Sequence, residues 1–528
     1  MNQSPNIINW YPFIKNQKIL IYGSENDEIV KMLKLKIDKV ECINTTEDIL
    51  NINEKFDFII FIGIKEKENI KLKDLIKKSE RVLENNGKIL LAVDNKFGLK
   101  FFAGNPEKIL NKKFVSLIGY NNEKEKNETY TKEYIQKELN EIGFKFRFYY
   151  PLPDYKIPNV IFTDEQLPNY NSIDKYNPYY EENSDIIFNE IDVFREILKT
   201  NKNMFSFFAN SFLIEITRGE CDKTFKYISF NNMRKKEYQL ITKISDDFVE
   251  KQVVTENANS HYENIKNNIN YLQQNDVKCL DYLDSEKIKS KYIEQKYLLN
   301  NILTEKLESG QNEEFYKILD NYINTISINS FKTENYEETV FGKYNIEIEN
   351  KEIINDLNFL PNGLWDMTLK NCFYINNDFY FFDQEWNEEN LPIEYILYRS
   401  IYYTISLRRF ISIEELFDKY NLRKYLELFQ KLDDKMQEQI RDDEEWKFYS
   451  QNHNFGIDET KQELENLNQR SEAQKQEIEN LNIRFNAQKQ ENENLKNENK
   501  KLQEENIVLT KKINEKLTTK IKRKLKII

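Results

Sequence analysis

The chain has 528 residues, with 77 Lys+Arg against 89 Asp+Glu and a formal charge of −12, and at ~150 residues per domain this length predicts roughly three domains. Hydrophobic residues make up 39% and aromatics 13%, which is ample for buried cores and excludes a wholly disordered chain. No apolar run approaches the ~18 residues of a membrane-spanning helix, and the start lacks a basic region followed by an apolar core, so the expectation is a soluble, cytoplasmic protein.

Cys42, Cys221, Cys279 and Cys372 are scattered without CxxC spacing, which suggests neither a disulfide framework nor a thiolate zinc site. With His261 and His453 the two histidines, multi-histidine metal sites and Ser-His-Asp chemistry are disfavoured, and both read as ordinary core or surface residues. There are 12 glycines where average usage would give about 37, and none are spaced as GxG, so P-loop and dinucleotide fingerprints are missing.

Lys18–Tyr22 (KILIY) is an apolar run ending at Gly23, followed by Val30, Leu33 and Ile37 at helical spacing, which reads as strand, turn and helix. Segments 40–43, 56–62 (FDFIIFI) and 88–93 (KILLAV) repeat the strand signature, with an amphipathic helix over 72–83 and a turn over 84–87. Helix 132–142, strand 144–150 and a late strand over 207–216 complete an α/β unit, expected to be a parallel Rossmann-like sheet ending near Thr217.

A second composition begins there. Segments 227–244 and 248–254 read as short strands and 257–272 as a helix, and the rest to about Tyr425 is helical with one hairpin, an α+β domain assigned to 218–430. A linker spans 431–457. From Asp458 onward Pro and Gly vanish, and Leu464, Leu467, Ile478, Leu481, Phe485, Leu495, Leu502, Leu509 and Ile513 fall on alternating 3 and 4 spacings, the pattern of a long coiled coil, assigned to 458–509. Two near-copies, 465–478 and 479–492, mark a rod grown by duplication. Asn492, Asn499 and Asn506 fall at a positions opposite Leu at d, which favours a parallel homodimer, with three strands as the alternative.

Three constellations could carry chemistry. The first is the loop after strand one, Gly23-Ser24-Glu25-Asn26-Asp27; ligands of open α/β sheets sit beyond the carboxyl ends of the strands. The second is Asp366 and Asn371 five residues apart, then a hairpin around Asn376-Asn377-Asp378, then Asp383-Gln384-Glu385-Trp386. Phosphoryl transfer uses such a set: a carboxylate at the accepting hydroxyl, and an Asn with a second Asp on Mg²⁺. Upstream, Lys251 is the strand lysine that would pair nucleotide phosphates, with Glu263 on the next helix as its ion-pair partner. For both, a solvated surface charge is the competing reading. The third is the tail 510–528, with eight Lys/Arg, one acid and the stripe Ile513, Leu517, Ile521, Leu525, Ile528. A basic amphipathic helix of this kind suits an anionic membrane surface; nucleic acid would leave the stripe unexplained.

Gly23-Ser24-Glu25, the run Asp94-Asn95-Lys96-Phe97-Gly98 and the segment Tyr150-Pro151-Leu152-Pro153-Asp154-Tyr155 resemble class I S-adenosylmethionine-dependent methyltransferases, in a subgroup fused to cell-surface glycan enzymes. That resemblance implies S-adenosylmethionine as cofactor, contacted at Gly23, Asn44 and Asp94. Ser24 and Glu25 depart from a glycine-rich loop, and Asn44 stands where the family has an acid. Asp366, Asn371, Asp383 and Lys251 resemble the kinase-like fold of small-molecule and sugar kinases, which implies Mg-ATP, with Asp366 catalytic and Asn371 and Asp383 on the metal. No glycine lies between Gly219 and Gly310 to form a phosphate-covering loop, and Trp365 stands where protein kinases carry Arg.

In layout the chain is similar to bifunctional methyltransferase/kinase chain terminators of bacterial O-antigen synthesis. The implied function is a transferase modifying a surface polysaccharide or lipid-linked glycan at the inner membrane face, beside a glycosyltransferase partner and without nucleic acid. The rival expectation is a non-catalytic dimeric scaffold that keeps both folds as binding modules.

Overall fold

A computed structural model describes residues 3–63, 70–107, 111–119, 129–170, 172–179, 186–443 and 456–525. The chain divides into two compact units, Met1–His453 and Asn454–Ile528.

The strands are β1 (Lys18–Tyr22), β2 (Lys39–Ile43), β3 (Phe56–Ile62), β4 (Leu83–Asp94), β5 (Lys145–Leu152), β6 (Val160–Thr163), β7 (Ser211–Thr217), β8 (Tyr227–Phe230), β9 (Leu240–Ile244), β10 (Phe248–Val253), β11 (Lys289–Lys291), β12 (Phe359–Leu364), β13 (Cys372–Ile375), β14 (Asp378–Phe381) and β15 (Asn387–Pro392). Eleven of them form one sheet in the order β11-β10-β9-β8-β6-β5-β7-β4-β3-β1-β2. β2, β1, β3 and β4 are parallel neighbours, and the central strands β1 and β3 are near-continuous in buried apolar residues because both faces are covered. The sheet is mixed rather than wholly parallel, since β7 lies antiparallel between β4 and β5. β7 begins at Ser211, because 204–208 forms a short helix whose end is tied to the sheet through Asn210.

Residues 84–87 form no turn before β4. They bulge within it, where the register jumps from Phe56↔Leu83 to Phe58↔Lys88. Gly87 permits this, since a Cβ there would stand 2.7 Å from Leu83 Cγ.

β8 pairs with β6 in the register Val160↔Ser229, Ile161↔Ile228 and Phe162↔Tyr227. The sheet therefore runs on without a break from the first α/β segment into the strands after Thr217. The core follows it: Phe225, Ile228, Phe230 and Ile241 pack in one apolar cluster with Ile7, Trp10, Ile21 and Ile60.

Beyond β11 the unit is mainly helical, around a core containing Leu303, Phe315, Leu319, Tyr322, Leu369, Tyr395 and Phe429. The hairpin β13–β14 closes through Asn376 and Asn377, with φ of 52° and 67°, the two left-handed residues that a tight hairpin loop matching the strand twist requires. Helix Leu426–Ile440 buries Leu428, Phe429, Leu432 and Met436, so the core extends into the segment read as the start of a linker. His453 lies outside the described residues.

The second unit contains one helix of 70 residues, Gly456–Leu525, roughly 105 Å long at 1.5 Å per residue. Along it Leu467, Ile478, Leu481, Leu495, Leu502 and Leu509 are each more than half exposed. Ile528 and Lys526 of the tail lie outside the described residues. Among those described, no helix is long and apolar enough to cross a membrane.

Candidate functional site

A cavity of about 480 Å³ lies under strands β8–β11. Ile244, Val249, Ile288 and Phe373 line it as apolar walls, and Arg234, Lys251, Asp366, Asn371, Asp383 and Glu385 line its charged end. Four residues named from sequence, Lys251, Asp366, Asn371 and Asp383, thus meet in one space, although Lys251 precedes Asp383 by more than a hundred residues.

Local backbone geometry explains how each arrives. Lys251 sits mid-strand on β10, opposite Thr242 of β9, and the strand's alternation turns it inward, 7% exposed. The chain leaves β12 at Leu364 and bends tightly, with Thr368 N–H donating to Asp366 C=O at 2.7 Å. That carbonyl also accepts from Asn371 Nδ2 at 3.0 Å and from Gln384 Nε2 at 3.1 Å. Phe382 N–H donates to Asn371 C=O at 3.1 Å. Asp383 follows with φ of 58°, a left-handed conformation that Asp adopts more readily than most residues. The kink leaves Asp383 half-buried at the cavity while Gln384 and Glu385 turn into the protein.

Electrostatics divides the carboxylates. Burial, and then the nearby Glu385, push Asp366 up to about 6. Burial also raises Asp383, although Lys251 pulls the other way. For Glu385 burial would act in the same direction, but Arg234 and Lys251 more than offset it and hold its carboxyl well below the usual range. Lys251 stays protonated above the ordinary lysine value despite burial, because Asp383 and Glu385 both face it.

The residues present fit a divalent cation in part. Asp383 Oδ1 meets the Lys251 ammonium as an ion pair without a directed hydrogen bond, and its raised carboxyl is one that added positive charge would relieve. No group of three or more His, Cys, Asp or Glu stands in metal-ligand arrangement among the described residues. Mg²⁺ is commonly held by one or two carboxylates and completed by phosphate and water, so Asp383 with Asn371 suffices only beside a phosphate.

Glu263 requires a correction. It was expected to pair with Lys251, yet its side chain is 61% exposed and pairs with Lys266 at 3.1 Å. The inward face of helix Asn259–Gln274 is set by His261, Ile265, Asn268 and Leu272, and two residues from His261 is about 200° around the helix. The buried acid beside Lys251 is instead Glu385, which also receives Arg234 and lies 3.6 Å from His261 Nε2. Its proximity in sequence to Asp383 was the available signal. The cation near Asp366 is likewise not from the preceding position: Trp365 is buried, and Arg399 stacks 4.5 Å from its ring while pairing with Asp433.

At the other sheet region, Gly23, Asn44 and Asp94 all stand at the carboxyl ends of parallel strands. Each is already engaged. Asp27 folds back to accept from Ser24 N–H at 2.7 Å, and a Cβ on Gly23 would lie 2.8 Å from that carboxylate. Glu25 pairs with Lys34. Asn44 N–H donates to the Asp48 carboxylate at 3.1 Å. Asp94 pairs with Lys100, whose ammonium also meets Asp154 at 2.5 Å. Residues 64–69, after β3, lie outside the described residues.

No protein-family model and no curated protein matches the chain. Solved structures are similar to part of it. A SAM-dependent methyltransferase from Archaeoglobus fulgidus is 15% identical over 40% of this chain and 94% of its own, with a TM-score of 0.23. A SAM-dependent methyltransferase from Thermotoga maritima is 14% identical over 38% of this chain and 72% of its own, with a TM-score of 0.20.

Proposed function

We propose that the protein is a transferase whose working site is the cavity under β8–β11, moving a phosphoryl group from Mg-ATP to a hydroxyl of a surface polysaccharide or lipid-linked glycan. The observation that carries this reading is the convergence of Lys251, Asp366, Asn371 and Asp383 on one partly apolar cavity. Apolar walls such as Ile244, Val249 and Phe373 suit a flat base, and the charged end suits a polyphosphate.

In this reading Lys251 holds phosphate oxygens. Asn371 and Asp383 would hold Mg²⁺, which supplies neutralisation of phosphate charge. Asp366 orients the acceptor hydroxyl and takes its proton as that oxygen bonds to the γ-phosphorus; the bond from the γ-phosphorus to the bridging oxygen breaks, and ADP leaves. A carboxyl near 6 is a competent base near neutral pH. Isothermal titration of Mg-ATP onto the full chain tests this: micromolar heat supports it, and no heat with any nucleotide removes it.

A second reading, a non-catalytic scaffold on a dimeric rod, is favoured by one observation. The Gly23 loop is satisfied by its own Asp27 and Lys34 contacts. Titration of S-adenosylmethionine discriminates, since binding of neither ligand leaves the scaffold standing.

A further inference from the structure

The connection between β8 and β9, residues 231–239, passes over the charged end of the cavity. No glycine occurs anywhere between Gly219 and Gly310, so backbone amides cannot wrap phosphates there as a glycine loop does. The connection instead carries Arg234, which lines the cavity beside Lys251.

Its backbone is fastened from several sides. Lys235 N–H donates to Ile440 C=O at 2.8 Å, and Asp442 N–H to Met233 C=O at 2.9 Å. Gln239 Nε2 donates to Arg234 C=O at 2.7 Å, and Asn232 Nδ2 to Pro158 C=O at 2.8 Å. A segment held this way does not close on a ligand as a flap, which leaves the side chain as its means of reaching one. The Arg234 side chain is 27% exposed, bonds Glu385 through Nη1 and has Trp386 5.4 Å away beneath its guanidinium. Glu385 retains Lys251 and the neighbouring His261 when Arg234 turns away. The guanidinium has five donors in a planar fork, more than one carboxylate oxygen uses and well matched to a phosphate.

We propose that Arg234 is the phosphate clamp of this cavity: its guanidinium binds the terminal phosphates of the nucleotide held by Lys251, in place of a glycine loop. This deepens the phosphoryl-transfer reading and rests on it.

The test titrates Mg-ATP and adenosine onto full-length wild type, Arg234→Gln and Arg234→Lys. Loss of a charged hydrogen-bonding pair predicts a Mg-ATP affinity about tenfold to a hundredfold weaker in Arg234→Gln, with adenosine affinity unchanged. Arg234→Lys keeps the charge without the fork and recovers part of the loss. An Arg234→Gln protein that melts cooperatively and binds Mg-ATP as wild type does overturns the clamp, and so does an equal loss for adenosine. If Arg234→Gln fails to fold, Arg234→Lys decides: a Mg-ATP to adenosine affinity ratio equal to that of wild type overturns it. Wild type that binds no Mg-ATP removes the underlying phosphoryl-transfer reading before any variant is compared.

Discussion

Lys251 and Glu385, 134 residues apart in sequence, form a buried ion pair at the charged end of the cavity. Glu385 is 4% exposed and also receives Arg234. Removing one partner of such a pair strands the other charge in a poorly solvated place.

Glu385→Gln is therefore expected to lower stability by about 3–5 kcal/mol. Glu263→Gln, on the solvated face of its helix, should stay within about 0.5 kcal/mol. Chemical denaturation of the two variants checks the contrast, and an equal effect on both would contradict the ion-pair assignment.

Asp366 gives a signed pH dependence. Its carboxyl titrates near 6 in the folded protein against about 4 when unfolded. Folding therefore disfavours its ionised form: the group costs stability above pH 6, and that cost fades as pH falls from 6 towards 4. Phosphoryl transfer, which uses the ionised form, should rise as pH climbs through 6. Asp366→Asn should lose turnover by at least about a hundredfold without a lower melting temperature at pH 7.5. A pH–rate profile flat from 5 to 8 would rule Asp366 out as the base.

At the Gly23 loop, Asp27 occupies the Ser24 amide. Asp27→Ala should strengthen S-adenosylmethionine binding over wild type, read by titration calorimetry. Unchanged or weaker binding would show that the loop amide is not the obstacle.

Among the described residues of the long helix, Leu467, Ile478, Leu481, Leu495, Leu502 and Leu509 are exposed in the single chain, and pairing with a second copy would bury them. Sedimentation equilibrium should give a dimer for the full chain and a monomer after deletion of 456–528. Replacing Asn499 and Asn506 with Leu should raise the melting temperature and admit higher oligomers, since buried polar a positions trade stability for stoichiometry.

The tail carries the last prediction. Deleting 510–528 should release the protein from anionic vesicles in a flotation assay, while equal flotation of both forms would remove the tail as a membrane contact.

Period-two and apolar-run signals located β1, β3, β5 and the β13–β14 hairpin, because these strands bury contiguous apolar residues or close through an asparagine turn that is local in sequence. The acid spacing likewise named Asp366, Asn371 and Asp383, which the β12-to-β14 connections place together over short distances of chain. Helix phase was harder to read: Glu263 carries the right charge at the wrong angle, and only the packing of His261, Ile265 and Asn268 fixes which face of that helix points inward.

Local patterning by itself determined where β1, β3 and the long C-terminal helix lie, since those depend on residues a few positions apart. Which charges meet was decided by tertiary structure alone. The joining of β6 to β8, the pairing of Lys251 with Glu385 and the entry of Arg234 into the cavity each bring together residues far apart along the chain, and no short-range periodicity encodes that choice.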